Sequence, residues 1–157
     1  MDWPTPFVSS RMKVQPEWID FNGHLNMAYY NVLFDRAADE FLSMLGFGAD
    51  YVQARRLTTY AAEIHVCYVR ELHVDDEVEI RVQLLDFDEK RFIFFQELLH
   101  ADGWLSATCE CMNLHIDMSG PKVSPMPEDR LASVKEVAQA HRSLPRPERA
   151  GRSIGMP

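Results

Sequence analysis

The sequence predicts an α+β domain in which a long central helix is wrapped by a curved five-stranded antiparallel sheet. Two observations carry that reading. One apolar stripe at three-and-four spacing runs from Tyr30 to Leu45, and beyond Thr58 the apolar residues recur at every second position through four long segments separated by short turns. A helix with so wide an apolar face needs cover on several sides, and a sheet curled around it supplies that cover. The 157 residues suffice for one such core and are too few for two.

Residues 7–15 alternate loosely and read as a first strand, which Pro16 ends. Residues 17–26 carry turn chemistry in Asp20, Asn22 and Gly23. The helix follows. Tyr30, Leu33, Phe34, Ala37, Ala38, Phe41, Leu42 and Leu45 form its stripe, Asn26 stands at the N-cap position, and Gly46 and Gly48 stop it. After a short connector, four strands are expected near residues 58–71, 78–84, 91–100 and 104–116, joined by tight turns at 74–76, 86–90 and 101–103 into an antiparallel meander. Pro121, Pro125 and Pro127 make a linker, and Glu128–His141 reads as a small closing helix. Residues 1–142 thus form a single domain, and 143–157 a Pro/Arg-rich C-terminal tail. Long strands leave one sheet edge bare, and pairing of that edge with a second copy predicts a homodimer or a dimer of dimers.

Composition narrows the function classes. Sixteen Lys and Arg against 24 Asp and Glu give a formal charge of −8, which argues against nucleic acid and against an anionic membrane surface. No apolar stretch approaches the roughly 18 residues of a membrane span. The first ten residues lack the basic and apolar regions of a secretory signal. The odd count of three Cys fits no disulfide framework, so a reducing, cytoplasmic compartment is expected. His65, His73, His100 and His115 lack metal-ligand spacing, and neither a metal nor another cofactor is expected.

The stretch Asp20-Phe21-Asn22-Gly23-His24-Leu25-Asn26-Met27-Ala28-Tyr29-Tyr30 resembles the signature of hotdog-fold acyl-CoA thioesterases of the 4-hydroxybenzoyl-CoA thioesterase type. The strand Glu63–Glu71 and the turn at Asp75-Asp76 extend the resemblance over roughly residues 7–117. Some relatives carry a second Asp two residues before the motif Asp, and here that position is Trp18. The variant Trp18-Ile19-Asp20-Phe21-Asn22-Gly23-His24-Leu25-Asn26 is most similar to stand-alone thioesterases of carnitine breakdown, which implies betainyl-CoA as substrate.

Thioester hydrolysis needs an activated water or a nucleophile, and donors for the charge that grows on the carbonyl oxygen. The resemblance places the catalytic carboxylate at Asp20, as general base or as nucleophile. The first helical turn, at Asn26, Met27 and Ala28, offers free N–H groups. His24 and Asn26 are expected to orient the loop or the water. Glu63 is a candidate second acid/base, or a partner for a cationic acyl group. Gly23 is expected to let the chain approach the substrate. Trp18, Met27 and Tyr30 are further candidate substrate contacts, as are Lys90 and Arg91 for the CoA phosphates, with Arg55, Arg56 and Arg70 as additional options. Trp18, Phe21, Tyr29, Tyr30, Tyr60 and Tyr68 supply aromatic faces that suit a trimethylammonium group or an aryl group. The expected function is therefore hydrolysis of an acyl-CoA to free acid and CoA, with betainyl-CoA leading. An aryl or broad-range short acyl-CoA thioesterase and a non-catalytic acyl-CoA binding module are the rivals.

Overall fold

The computed structural model describes residues 2–157. Two short strands, β1 (Phe7–Val8) and β2 (Met12–Lys13), lead through a 3-10 turn (Pro16–Trp18) to helix α1 (Met27–Leu45). A second helix, α2 (Ala49–Arg55), precedes the long strands β3 (Leu57–Tyr68), β4 (Glu77–Phe87), β5 (Arg91–His100) and β6 (Leu105–Asp117). A short β7 (Lys122–Val123) and helix α3 (Glu128–His141) close the fold. Both ends of α1 follow from local chemistry. Asn26 Oδ1 accepts from the Ala28 N–H at 2.9 Å, and Gly46 takes a left-handed φ of 92° as its C-cap.

The sheet runs in the order β1-β4-β5-β6-β3, with β2 also on β4 and β7 on β6. This corrects the expected four-strand meander. β4, β5 and β6 are consecutive hairpins, but β3 pairs with β6, from Leu57↔Asp117 to Tyr68↔Ala107. Residues 69–76 are therefore a crossing connection, not a hairpin turn. They are tied down on the way: the Val69 and Arg70 N–H groups donate to the Ser106 carbonyl, and the Leu25 N–H donates to the Leu72 carbonyl at 2.8 Å. The expected first strand is broken into β1 and β2, and α2 and β7 are elements the sequence reading lacked.

The core lies between α1 and the concave face of the sheet. Tyr30, Leu33, Phe34, Ala37, Phe41 and Leu45 are its helical contribution. Phe41 meets Phe94 and Phe7 at ring-centroid distances of 5.5 and 5.7 Å. A buried Phe of this kind stabilises by about 1.5–3 kcal/mol. Each neutral buried imidazole joins two segments. His141 Nδ1 accepts from the Leu84 N–H at 2.9 Å, beside the β4 bulge, and its Nε2 donates to the Pro4 carbonyl at 2.9 Å. His115 donates from Nδ1 to the Ser124 carbonyl and accepts the Tyr51 hydroxyl at Nε2, 2.7 Å away. Burial lowers the pKa of both rings below the ordinary histidine value.

Candidate active site

The loop from Trp18 to Asn26 is folded back on itself before α1 begins. Ile19 and Leu25 form an isolated antiparallel bridge, the Asp20 N–H donates to the His24 carbonyl, and the Asn26 N–H donates to the Trp18 carbonyl. The Gly23 N–H closes the turn on the Asp20 carbonyl at 3.0 Å. Gly23 has a φ of +84°, which a side chain rarely adopts, and a Cβ there would touch nothing within 4 Å. The structure shows its part in the turn, and the space beside it is open.

This fold of the loop fixes the Asp20 carboxylate. The Asn22 N–H donates to Oδ1 at 2.8 Å, and Asn26 Nδ2 donates to Oδ2 at 3.4 Å. Asn26 has two tasks, since its other amide atom caps α1. The same carboxylate stands beside the positive end of the helix dipole. The Met27 N–H, first of the helix, has no acceptor among the described residues.

A cavity of about 470 Å³ opens at this point. Asp20, His24, Asn26, Met27 and Tyr30 line it from the loop and α1, while Tyr68, Arg70 and Glu71 line it from the end of β3 and the crossing connection. The Tyr68 hydroxyl donates to the Met27 carbonyl at 3.0 Å, and Tyr30 and Tyr68 meet edge to face at 5.0 Å. Burial raises the pKa of both phenols, so both remain protonated donors at neutral pH. His24 Nδ1 is buried with no partner, a polar atom left for a ligand or water.

Arg70 was only an additional option among the cations, yet it is the one of the five that lines the Asp20 cavity. Its guanidinium lies 3.9 Å from the centroid of Trp104, and Trp104 stacks in turn on His100 at 4.5 Å. Lys90 and Arg91 sit at the other end of the sheet. Arg91 pairs through Leu114 with Tyr60, eight residues along β3 from Tyr68, which is about 26 Å. Arg91 is moreover held by Asp88 at 2.6 Å, and Arg55 by Asp129 at 2.6 Å.

Trp18 is buried and packs against Tyr29 with Arg36 over its ring, so it supports the loop without lining the cavity. Glu63 is not brought to Asp20. It is exposed on the outer face of the sheet, beside Met112 and Glu110, where Gly151 and Arg152 of the tail also lie. Phe21 is 99% exposed. The residues of the crossing connection absent from the sequence reading of the site are Val69 and Glu71; the alternation of β3 ends just before them and carries no sign of their return over the loop.

The chain was compared with known proteins. A sequence profile described as the thioesterase-like superfamily matches residues 14–137. A betainyl-CoA thioesterase of Pseudomonas aeruginosa is 38% identical over 145 residues, covering 92% of this chain and 91% of that protein. An L-carnitine dehydrogenase/betainyl-CoA thioesterase of Rhizobium meliloti is 35% identical over 144 residues, covering 91% of this chain but 29% of the larger protein. Among solved structures, a Staphylococcus aureus protein in complex with CoA superposes with a TM-score of 0.89 at 25% identity over the whole of both chains.

Proposed function

The chain belongs to the thioesterase-like superfamily, and from that premise we propose that it hydrolyses betainyl-CoA to glycine betaine and CoA. It is an acyl-CoA thioesterase of hotdog fold. The observation that carries the reading is the Asp20 carboxylate, fixed by Asn22 and Asn26 on a cavity that Met27, the first residue of α1, also lines.

In this reading the thioester oxygen points at the α1 N-terminus, where the unpartnered Met27 N–H and the helix dipole stabilise the charge that develops on it. Asp20 acts in one of two ways. As base it takes a proton from water while the water oxygen bonds to the carbonyl carbon; the C–S bond then breaks and the CoA thiolate leaves. As nucleophile its own oxygen bonds to that carbon, expels the thiolate and forms a mixed anhydride, which water opens. Single turnover in oxygen-18 water tests for the anhydride, since label enters Asp20 only when water opens an anhydride at the aspartyl carbon. Arg70, braced by Trp104, is our candidate for the CoA phosphates, and Tyr30 and Tyr68 line the cavity beside the thioester.

The functional unit is proposed to be a dimer. Among the described residues β3 pairs with β6 alone, so its other edge presents unpaired backbone groups along a 12-residue strand, with Tyr60 and Ile64 nearly half exposed. A second copy running antiparallel about the middle of β3 would satisfy that edge in both chains. A reducing cytoplasm suits the three free thiols, two of them buried.

The test is turnover of betainyl-CoA against benzoyl-CoA and butyryl-CoA by the purified protein. The expected result is the highest kcat/KM for betainyl-CoA; preference for either uncharged acyl group sinks the substrate assignment.

A further inference from the structure

α1 turns a second face toward β3, and a cavity of about 560 Å³ lies between them, apart from the Asp20 cavity. Its helical wall carries Asn31, Asp35 and Asp39, and its floor is the concave face of the sheet at Phe94 and Gln96. Three acceptor groups line this space without a hydrogen-bond donor among the described residues: the exposed Asp35 and Asp39 carboxylates and the buried Gln96 Oε1. Asp35 and Asp39 stand one turn apart at its rim, where their like charges oppose each other, and neither has an ion-pair partner among the described residues. Partial desolvation, with the charge of Asp35 behind it, holds the Asp39 carboxyl above its ordinary range. Gln96 is 2% exposed, and its Oε1 is buried with no partner. A buried acceptor left in this state is costly, and a ligand of the right polarity removes the cost. The cation in the wall, Arg36, holds its guanidinium over Trp18 at 5.4 Å from the ring centroid.

The lining selects the kind of cation. Among the described residues no three His, Cys, Asp or Glu side chains converge as a metal ion requires. A quaternary ammonium has no N–H to satisfy and is stabilised by diffuse negative charge together with apolar and aromatic contact. Phe34, Phe94 and Ile64 supply the contact, and the two carboxylates supply the charge. We propose that this cavity receives the quaternary ammonium group of the acyl substrate, with Asp35 and Asp39 as its counter-charges and Gln96 Oε1 turned toward it. For its ligand the proposal rests on the betainyl-CoA reading.

The route into the cavity follows from symmetry. Met27 to Asp39 is about 18 Å along the helix, more than an acyl group spans when its nitrogen is one methylene from the carbonyl. α1 runs antiparallel to β3: its start meets Tyr68, and Asp39 shares the cavity with Thr59. A two-fold axis across the middle of β3 therefore sets the Asp39 end of one α1 beside the Asn26 end of the other. The acyl cation of a thioester held at one Asp20 then enters the cavity of the partner subunit.

The experiment compares betainyl-CoA with its uncharged carbon isostere, 3,3-dimethylbutyryl-CoA, for the wild type, Asp35→Asn and Asp39→Asn. The expected result is a fall of about tenfold or more in the ratio of the two kcat/KM values for at least one variant, with weakened inhibition by tetramethylammonium. An unchanged ratio in both variants overturns the proposal, whether activity is kept or lost on both substrates. Co-expression of Asp20→Asn chains with chains carrying whichever of Asp35→Asn and Asp39→Asn lowers betainyl-CoA turnover tests the crossed arrangement. Mixed dimers regain betainyl-CoA turnover if the two residues come from different protomers, and no regain overturns the crossing. A wild type that prefers the isostere defeats the betainyl-CoA reading instead, and tetramethylammonium titration of the three proteins then decides the cavity by itself: binding by the wild type that either variant weakens supports it, and no binding, or equal binding by all three, overturns it.

Discussion

The Tyr68 hydroxyl donates to the Met27 carbonyl at 3.0 Å, so the last residue of β3 clamps the first residue of α1. The clamp ties the sheet edge to the helix end where Asp20 is held. Tyr68→Phe removes one hydrogen bond and keeps the ring against Tyr30. The expected loss of stability is about 0.5–1.5 kcal/mol, read as a lower urea midpoint, and an unmoved midpoint would show that the contact adds nothing.

Asp20→Asn keeps the size of the side chain and an acceptor for the Asn22 N–H, and removes the charge. Expected is a fall in kcat of about 10²–10⁴-fold with CoA affinity, measured by calorimetry, nearly unchanged. Retained turnover would take Asp20 out of the chemistry.

Arg70→Ala is expected to raise KM for an acyl-CoA by about tenfold or more, the worth of a charge-assisted hydrogen bond to phosphate. The same acyl group on N-acetylcysteamine carries no phosphate, and its KM should stay put. Equal effects on both thioesters would make Arg70 a structural residue only.

Acidification should destabilise the fold through His141 and His115. Their folded-state pKa values lie below the unfolded value of about 6.5, so the unfolded chain binds protons first as pH falls. Stability is full above about pH 6.5 and drains as pH drops from there toward the folded values. His141→Gln should cost about 1–3 kcal/mol at pH 7.5, from the orphaned Leu84 N–H and Pro4 carbonyl, and should flatten the fall between pH 7.5 and 5.5. A variant with the wild-type slope would absolve this ring.

Ile64→Lys places a charge in the exposed stretch of the β3 edge. Sedimentation is expected to report a dimer for the wild type and a monomer for the variant, and a dimer that survives the change would locate the subunit contact elsewhere.

Local chemistry made much of this legible. The α1 stripe, its Asn26 cap and its Gly46 stop lie within one stretch of chain, and α3 spans the residues its pattern marked. The contiguous part of the site, Asp20 to Tyr30, came with them. Sheet order did not, because pairing is non-local: an eight-residue connection after β3 has the length of a loop that joins neighbours, and only the three-dimensional path shows it crossing to the far side. Arg70 was obscured for the same reason. Glu63 stands apart from Asp20 because strand alternation sets it on the face opposite Ile64 and Tyr68, which its Ala and Ile flanks do not reveal. Lys90 and Arg91 needed the register of three strands before their distance from the loop could be known.

Trp104, held between the guanidinium of Arg70 and the imidazole of His100, is also an optical reporter already installed in the chain. Any ligand that draws Arg70 off the indole alters the quenching of that fluorophore, and with Trp3 and Trp18 replaced by Phe its emission reads occupancy without a label.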